Sequence, residues 1–232
     1  MPNDGRQLYC GQITLSGLNR KLLLCALLVF STSMIVPELS SQEVKPQAKP
    51  ELLVSAEEIT KTWDYYCTEK DSKPSDTWKV VKENGAESNI LVCLGKPFGY
   101  VRTKKSYKNF ILKLEWKYPK DPNGNSGVLI HTVGENKIWP QSIQVQLHGP
   151  TAGSIFPAGG AKSANTLNAK NLSLPVNQWN TCVLTCKDGK ISAVVNGKMA
   201  GEVTGCLPAA GSISLQSEGS EIHFRNITVQ PL

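Results

Sequence analysis

Polar side chains able to bind or transfer a proton recur at alternate positions in three segments of the chain. In chain order they are Glu115, then Gln144, Gln146 and His148, then Gln216 and Glu218. Side chains two positions apart on a β-strand share a face, so each segment would present its polar groups on one surface. Amides offer donor and acceptor together, and an imidazole or a carboxylate can also move a proton. Such a surface suits a ligand rich in hydroxyl groups; the alternative is a sheet face exposed to solvent.

The segments that must position these groups are predicted to be β-strands. The clearest is 109–118, where apolar residues alternate with polar ones and Glu115 falls on the polar side. The dipeptides Asp188-Gly189 and Asn196-Gly197 favour two-residue hairpin turns. Only the stretch 55–64 has a helical pattern, with a capping sequence at its start. Many short strands with closely spaced turns predict an all-β sandwich or barrel.

The first fifty residues differ from the remainder of the chain. Asn19-Arg20-Lys21 precedes an apolar run from Leu22 to Phe30 and then three small residues, which is the organisation of a secretory signal. An uncleaved membrane anchor is the alternative. We therefore expect an exported protein in the periplasm, on the cell surface or in the extracellular medium. The predicted organisation is a signal peptide or membrane anchor at 1–36, a flexible linker at 37–55 and a folded domain at 56–232.

Composition and charge argue against several classes of protein. The chain has 25 Lys and Arg against 19 Asp and Glu, and its basic residues are scattered. The densest group, Arg102 to Lys108, is interpreted as a solvated strand edge, so no nucleic-acid partner is expected. Five cysteines fall in the predicted domain, an odd number that cannot form a closed disulfide framework. They are interpreted as small buried apolar residues.

A set of short segments in fixed order resembles the 3-keto-disaccharide hydrolase family over roughly 60–232. The segments are NFILKLEWKYP, NGNSGVLIH, WPQSIQVQLHG, AGG, QWNTCVLTCKDGKISAVVNGK, GSISLQSEG and HFRNITV. This resemblance implies a concanavalin A-like jelly roll, a sandwich of two antiparallel sheets with a saccharide ligand on the concave face. It further implies a glycosidase-like hydrolase that acts on a 3-keto glycoside. No cofactor and no metal site are expected.

The family motifs imply the residues that bind the substrate. The Asn-Ser-Gly motif falls on Asn125, Ser126 and Gly127, although a plain turn would explain the same residues. His131 stands at the end of that segment, where the family often has Arg. The implied substrate-binding residues are Asn125, Ser126, His131, Gln144, Gln146, Gln216 and Arg225.

The chain departs from the family at one position that bears directly on catalysis. The family's Glu-x-Gln pair falls on Gln144 and Gln146, so an amide stands where the family usually has a carboxylate. Such a change retains hydrogen bonding and removes proton transfer at neutral pH. A non-catalytic, lectin-like carbohydrate-binding domain is therefore the alternative to an enzyme. A third possibility is a structural sandwich with no affinity for sugar, since one fold serves many functions.

The expected chemistry follows from the ketone of a 3-keto sugar. Ordinary glycoside hydrolysis needs two carboxyl groups about 5–5.5 Å or about 6.5–9.5 Å apart. A ketone acidifies the hydrogen on the neighbouring carbon, so one base can start an elimination and water can add afterwards. Glu115 or Glu218 is the expected base, and His148 or His131 the expected acid. The hypothesis requires these groups and the glutamines to converge in one hollow.

Overall fold

A computed structural model describes residues 48–54, 59–82 and 89–232. The described residues form two antiparallel β-sheets with very little helix. The strands are β1 (Glu51–Leu52), β2 (Trp63–Cys67), β3 (Trp78–Lys82), β4 (Asn89–Cys93), β5 (Gly99–Thr103), β6 (Phe110–Lys117), β7 (Gly127–Val133), β8 (Gln141–Gln146), β9 (Ile155–Ala158), β10 (Asn180–Lys187), β11 (Lys190–Val195), β12 (Lys198–Val203), β13 (Ser212–Ser217) and β14 (Ile222–Pro231). Helical structure consists of α1 (Pro74–Thr77) and 3₁₀ turns at Ile59–Lys61 and Gly149–Thr151.

The two sheets differ in their strand order. The eight-stranded sheet runs β12-β11-β10-β6-β14-β4-β3, with β1 paired to β14. The six-stranded sheet runs β2-β5-β13-β7-β8-β9. Strands distant in the chain therefore become neighbours, as β6 does between β10 and β14. The all-β sandwich predicted from the alternating pattern is confirmed, as are the hairpins at 188–189 and 196–197, which join β10 to β11 and β11 to β12.

The core lies between the inner faces of the two sheets. Strand β6 follows the predicted alternation, with Phe110, Leu112, Leu114 and Trp116 buried and the intervening residues facing outward. Strands of the six-stranded sheet, such as β8, supply apolar side chains to the same core. Full burial of one large apolar side chain contributes about 1.5–3 kcal/mol, so this interior accounts for the stability of the fold.

The described cysteines are free thiols, and four of the five are buried. They are Cys93, Cys182, Cys186 and Cys206. Burial raises the pKa of Cys93 to about 11 and that of Cys182 to about 12. These thiols are therefore un-ionised at neutral pH and pack as small apolar side chains, as the sequence predicted.

The sandwich begins earlier than the sequence predicted. Strand β1 pairs with β14, and Leu53 and Val54 are buried, so the end of the expected linker belongs to the sheet. The helix expected over 55–64 is wrong in its described part, because 59–61 is a single 3₁₀ turn and β2 starts at Trp63. The buried Trp63 indole donates to the Leu53 carbonyl oxygen at 3.0 Å, a tertiary contact that local helix propensity cannot outweigh.

The proposed signal peptide or anchor at 1–36 lies outside the described residues and stays a prediction. The described segments contain no helix with the length and apolar character needed to cross a bilayer.

Candidate functional site

Two rows of side chains cross the outer face of the six-stranded sheet. The register aligns Phe156, Gln144, Leu129, Ser214, Arg102 and Asp64 in the first row. The second row contains Gln146, Gly127, Gln216, Tyr100 and Tyr66. Residues between these positions, such as Val128 and Val145, belong to the core. The period-two pattern therefore directs Gln144, Gln146 and Gln216 to one surface, as the sequence predicted.

Gly127 is the centre of this surface. A Cβ on Gly127 would lie 2.1 Å from Gln216 Oε1 and 3.1 Å from Gln144 Nε2. Only glycine leaves room for the two amides to lie over the β7 backbone. Gln144 and Gln216 are 5% and 2% exposed, so they lie below the surface of the outer face, at a place that we call the recess. Gln144 Nε2 is a donor and Gln216 Oε1 is an acceptor, and both lie above Gly127.

A second group of residues lies where β8 and β13 end and β7 begins. The β7–β8 ladder continues beyond the strands, because Leu147 N donates to Ser126 O at 3.0 Å and Gly149 N donates to Gly124 O at 3.1 Å. His148 therefore lies opposite Asn125. On the other side, Asn125 N donates to Ser220 Oγ at 3.2 Å, which ties Asn125 to the turn that contains Glu218. His148, Asn125 and Glu218 thus occupy neighbouring positions at one end of the sheet.

Three acceptors at this end have no protein partner. Asn125 Oδ1, Gln216 Oε1 and Glu218 Oε2 are buried and accept no hydrogen bond among the described residues. Most buried polar atoms in proteins are hydrogen-bonded, and each exception calls for an explanation such as an absent ligand or water. The three oxygens come from adjoining register positions of β7 and β13. They leave three hydrogen-bond acceptors at this end of the sheet that a ligand could satisfy.

The electrostatics at this end favour proton transfer by Glu218. Burial raises the pKa of the Glu218 carboxyl, which brings it closer to neutral pH. The same burial, with the Glu218 and Asp121 charges nearby, holds the pKa of Tyr118 well above its usual value, so this phenol stays protonated. The His148 ring is oriented by Nδ1, which lies 3.1 Å from Thr151 Oγ1. A carboxylate and an oriented imidazole are the usual parts of acid–base catalysis.

Gln146 lies on the predicted face, but its side-chain oxygen already accepts hydrogen bonds from the backbone. Its Oε1 accepts hydrogen bonds from Leu147 N at 3.1 Å and from His148 N at 3.4 Å. The side chain therefore holds the backbone that carries His148, and only its NH₂ group is left for a ligand. Gln146 positions His148 as well as presenting a donor.

The prediction that Glu115 and Arg225 join this hollow is wrong. Both lie on the outer face of the other sheet, on β6 and β14. Glu115 Oε2 accepts from Arg225 Nε at 2.8 Å, and Glu115 Oε1 accepts from Asn226 Nδ2 at 2.7 Å. Asn226 has φ of 52° where the β6–β14 register shifts, so the carboxylate holds a β-bulge. The Arg225 guanidinium also lies 4.2 Å from the centre of the Trp179 ring.

Ser126 and His131 are also turned away from the recess. Ser126 is fully buried on the core side of the sheet, and its Oγ donates to Gln216 O at 2.8 Å. His131 should face outward by parity, but it has φ of 55° within a register shift of β7. Its ring packs edge-on against Phe110 with centroids 5.7 Å apart, and burial lowers its pKa. A bulge of this kind reverses the side that a residue faces.

The outer face also has an aromatic part, which was not predicted from the sequence. The Tyr66 and Tyr100 rings pack with centroids 5.3 Å apart, and Tyr100 Oη donates to Asn136 Oδ1 at 3.1 Å. Asn136 belongs to the loop 134–140, whose Gly134 carbonyl accepts from Arg102 at 3.4 Å. The alternation of Tyr100 and Arg102 with buried Val101 was the signal that could have found this side of the face.

Two cavities border these features. One of about 370 Å³ lies between the turns 121–122 and 149–150 and the segment 171–176. Another of about 440 Å³ lies on the eight-stranded sheet beside Glu115. Both fall within the size range of ligand pockets. In the described part of the chain, no three His, Cys, Asp or Glu side chains are grouped so as to hold a metal ion.

Comparison with known families identifies the domain. The family model for the 3-keto-α-glucoside-1,2-lyase-like domain matches residues 62–230. The chain belongs to this family. The match includes both rows of the outer face and the Asn-Ser-Gly turn of this lyase-like domain, and it confirms the resemblance found in the sequence. No curated protein matches the chain significantly.

Solved structures show the same fold. A glycosyl hydrolase candidate from Parabacteroides distasonis aligns with a TM-score of 0.60 at 21% identity, over 79% of this chain and 100% of that one. The carbohydrate-binding module CBM66 from Bacillus subtilis gives 0.53 at 11%, over 73% and 95%. The β-glucanase of Bacillus licheniformis gives 0.51 at 12%, over 80% and 98%. The predicted concanavalin A-like jelly roll is confirmed, and the lyase-like domain belongs to a carbohydrate-active, glycosyl hydrolase-like family.

Proposed function

We propose that this domain cleaves a 3-keto glycoside by base-initiated elimination, and that hydration of the product completes a net hydrolysis. The observation that carries the proposal is the set of three buried acceptors without partners, Asn125 Oδ1, Gln216 Oε1 and Glu218 Oε2. Sugar hydroxyl groups are donors as well as acceptors, so a bound saccharide would satisfy all three. The family description, which names a 3-keto-α-glucoside-1,2-lyase, supports the same chemistry.

The proposed reaction needs one base and one acid. The C3 ketone acidifies the C2 hydrogen, and the Glu218 carboxylate takes that proton. The electron pair of the C2–H bond forms a C1–C2 double bond while the C1–O bond breaks. His148 gives a proton to the departing oxygen. Water then adds across the double bond, with its hydroxyl at C1 and its proton at C2. Proton transfers of this kind typically contribute about 10²–10⁴-fold each.

Glu218 is favoured over Glu115 as the base because of its surroundings. Both oxygens of Glu115 accept hydrogen bonds from Arg225 and Asn226, whereas Glu218 Oε2 has no partner among the described residues. Burial raises the pKa of Glu218, and a base with a pKa nearer the working pH removes a proton more effectively. His148 is favoured over His131 because His131 is packed against Phe110.

A non-catalytic carbohydrate-binding domain is the second candidate. One observation favours it: position 144, which lies 5% exposed in the floor of the recess, carries an amide and not the carboxylate usual in the family. Gln144 can hold a sugar hydroxyl but cannot transfer a proton. The basic flank and apolar run at 19–30 further support export to a compartment where free saccharides are met.

The decisive experiment offers the purified protein a panel of glycosides and their 3-keto derivatives in D₂O, followed by mass spectrometry. We expect release of the leaving group from the keto sugars alone, with one carbon-bound deuterium at C2 of the hydrated product when it is first formed. A reaction without enzyme controls for spontaneous enolisation. Release without deuterium would contradict elimination. Binding without release would favour the carbohydrate-binding domain, and neither binding nor release would contradict both candidates.

A further inference from the structure

The outer face of the six-stranded sheet changes character along its second row. Amide side chains on β8 and β13 give way to aromatic rings at β5 and β2, next to the end of the sheet that carries Glu218. We call the three rings Tyr66, Phe98 and Tyr100 the aromatic strip. Gln216 is directly paired with Tyr100, and Tyr100 with Tyr66, so the strip continues the recess without interruption.

Phe98 is the member of the strip that faces solvent. This residue is 41% exposed. It precedes Gly99, which pairs with Ser217, so the register brings Phe98 beside Glu218. A Cβ on Gly219 would lie 3.6 Å from the Phe98 ring, which confirms that the ring borders this turn.

The backbone of Phe98 is held in place independently of any ligand. Its carbonyl oxygen accepts from Thr68 N at 2.9 Å and from Thr68 Oγ1 at 3.4 Å. Behind it, the Tyr66–Tyr100 pair is anchored by the hydrogen bond from Tyr100 to Asn136. An exposed ring on a fixed backbone is a preorganised apolar surface, which binds a ligand with little loss of side-chain entropy.

We propose that the aromatic strip is the subsite for the leaving group and that it selects a ring with an apolar face, either a second sugar or an aromatic ring. This inference rests on the proposed function. The hydroxyl-rich keto sugar matches the amides and unpartnered acceptors around Gly127. The departing group must lie beyond them, and the strip borders the proposed base Glu218 there. A flat aromatic surface stacks on the C–H face of a ring and makes much less contact with a methyl group.

The test compares two substrates in four proteins. The substrates are a 3-keto-α-glucosyl disaccharide and methyl 3-keto-α-glucoside; the proteins are wild type, F98A, F98Y and M199A. Met199 is the matched control, since it is 65% exposed on β12 in the other sheet. We expect F98A to raise KM for the disaccharide about tenfold, equivalent to about 1.4 kcal/mol, with kcat and the methyl glycoside nearly unchanged. F98Y should restore KM, and M199A should behave as wild type.

Two outcomes overturn the inference while the proposed function stands. In the first, F98A leaves KM unchanged for both substrates; in the second, it raises KM equally for both. If the wild type cleaves neither substrate, binding of the free disaccharide is measured by saturation-transfer NMR. Binding that is lost in F98A and retained in M199A then supports the subsite while the proposed reaction fails. Absence of binding overturns both. Thermal unfolding of each variant tests whether a loss of binding or activity comes from misfolding.

Discussion

The two outer faces of this sandwich carry similar residues in opposite states. On the eight-stranded sheet, the Glu115 carboxylate accepts hydrogen bonds from Arg225 and Asn226. On the six-stranded sheet, Gln216 Oε1 and Glu218 Oε2 are buried and have no partner among the described residues. Both glutamates occupy polar positions of alternating segments, so the sequence pattern cannot separate them. The two glutamates differ in their hydrogen bonds. The protein itself supplies donors to the Glu115 carboxylate, whereas Glu218 Oε2 can still accept a hydrogen bond from a ligand.

The largest expected effect comes from Glu218→Gln. The amide keeps the shape but cannot take the C2 proton, so kcat should fall by about 10²–10⁴-fold. The variant should also be at least as stable as wild type at neutral pH, because it removes a charge that burial disfavours. Turnover of a 3-keto glycoside and thermal unfolding measure the two effects. Full activity in E218Q would show that Glu218 is not the base. The proposed difference between Glu218 and Glu115 would then be wrong.

Gly127→Ala should have the next largest effect. The new methyl group would lie 2.1 Å from Gln216 Oε1 and would force this amide out of the recess. Loss of a hydrogen bond in a desolvated site costs about 1–3 kcal/mol, so saccharide affinity should fall roughly fivefold to a hundredfold. Titration calorimetry with a bound saccharide measures the change. Unaltered affinity in G127A, with Tm recorded beside it, would show that the two amides do not hold the ligand.

Gln144→Glu sharpens the choice between enzyme and binding domain. If the site is a weakened enzyme, a carboxylate at 144 should raise kcat severalfold, whereas a lectin would change only in affinity. The variant should unfold at a lower temperature, since a carboxylate at this buried position is disfavoured. Gln146→Glu is the matched control, because Gln146 Oε1 already accepts backbone hydrogen bonds. Equal gains in both variants would mean that added charge, and not position 144, is responsible.

Glu115→Gln tests the other face, where we expect a change in stability and none in catalysis. An amide accepts less strongly from Arg225 than a carboxylate does, so unfolding free energy should fall by about 1 kcal/mol. Chemical denaturation measures this change, and kcat/KM per folded molecule should stay at the wild-type value. A variant with normal stability but lost activity would reverse the comparison drawn between the two glutamates.

The smallest expected effect is the contribution of Glu218 to the pH dependence of stability and activity. Because burial raises its folded-state pKa, protonation favours the folded protein. This contribution is fully present below the unfolded pKa of a glutamate and is lost as pH rises through the higher folded value. Activity should follow the opposite course, rising over the same interval as the base ionises. Unfolding and kcat/KM profiles from pH 4 to pH 8 should both flatten in this region in E218Q, and an unchanged profile would assign the titration to another group.

The sequence predicts most of the fold and part of the site, for identifiable physical reasons. Alternation on β6 and β8 shows which residues enter the core, and Asp188-Gly189 and Asn196-Gly197 mark two hairpins. Alternation does not show which sheet a strand joins, and this is why Glu115 was assigned to the wrong face. His131 was misplaced because a bulge with positive φ reverses parity.

The unpartnered acceptors at the recess could not be read from the sequence at all. They depend on what surrounds each oxygen, and that is set by contacts such as Ser126 Oγ with Gln216 O across β7 and β13. The aromatic strip was accessible in principle, since Tyr100 and Arg102 alternate with Val101. The family motifs lie in other segments of the chain and do not include it.

Gly127, at the middle of the recess, limits how such a domain can change the ligand that it prefers. The Gln144 and Gln216 amides fill the space that a β-carbon at position 127 would need. Substitution of this glycine therefore displaces both amides and does not create a new binding surface. New ligands must be accommodated from the periphery, through Phe98 or the loop 134–140. Relatives that differ in the saccharide they accept should therefore vary at that border while keeping an unsubstituted backbone at the centre.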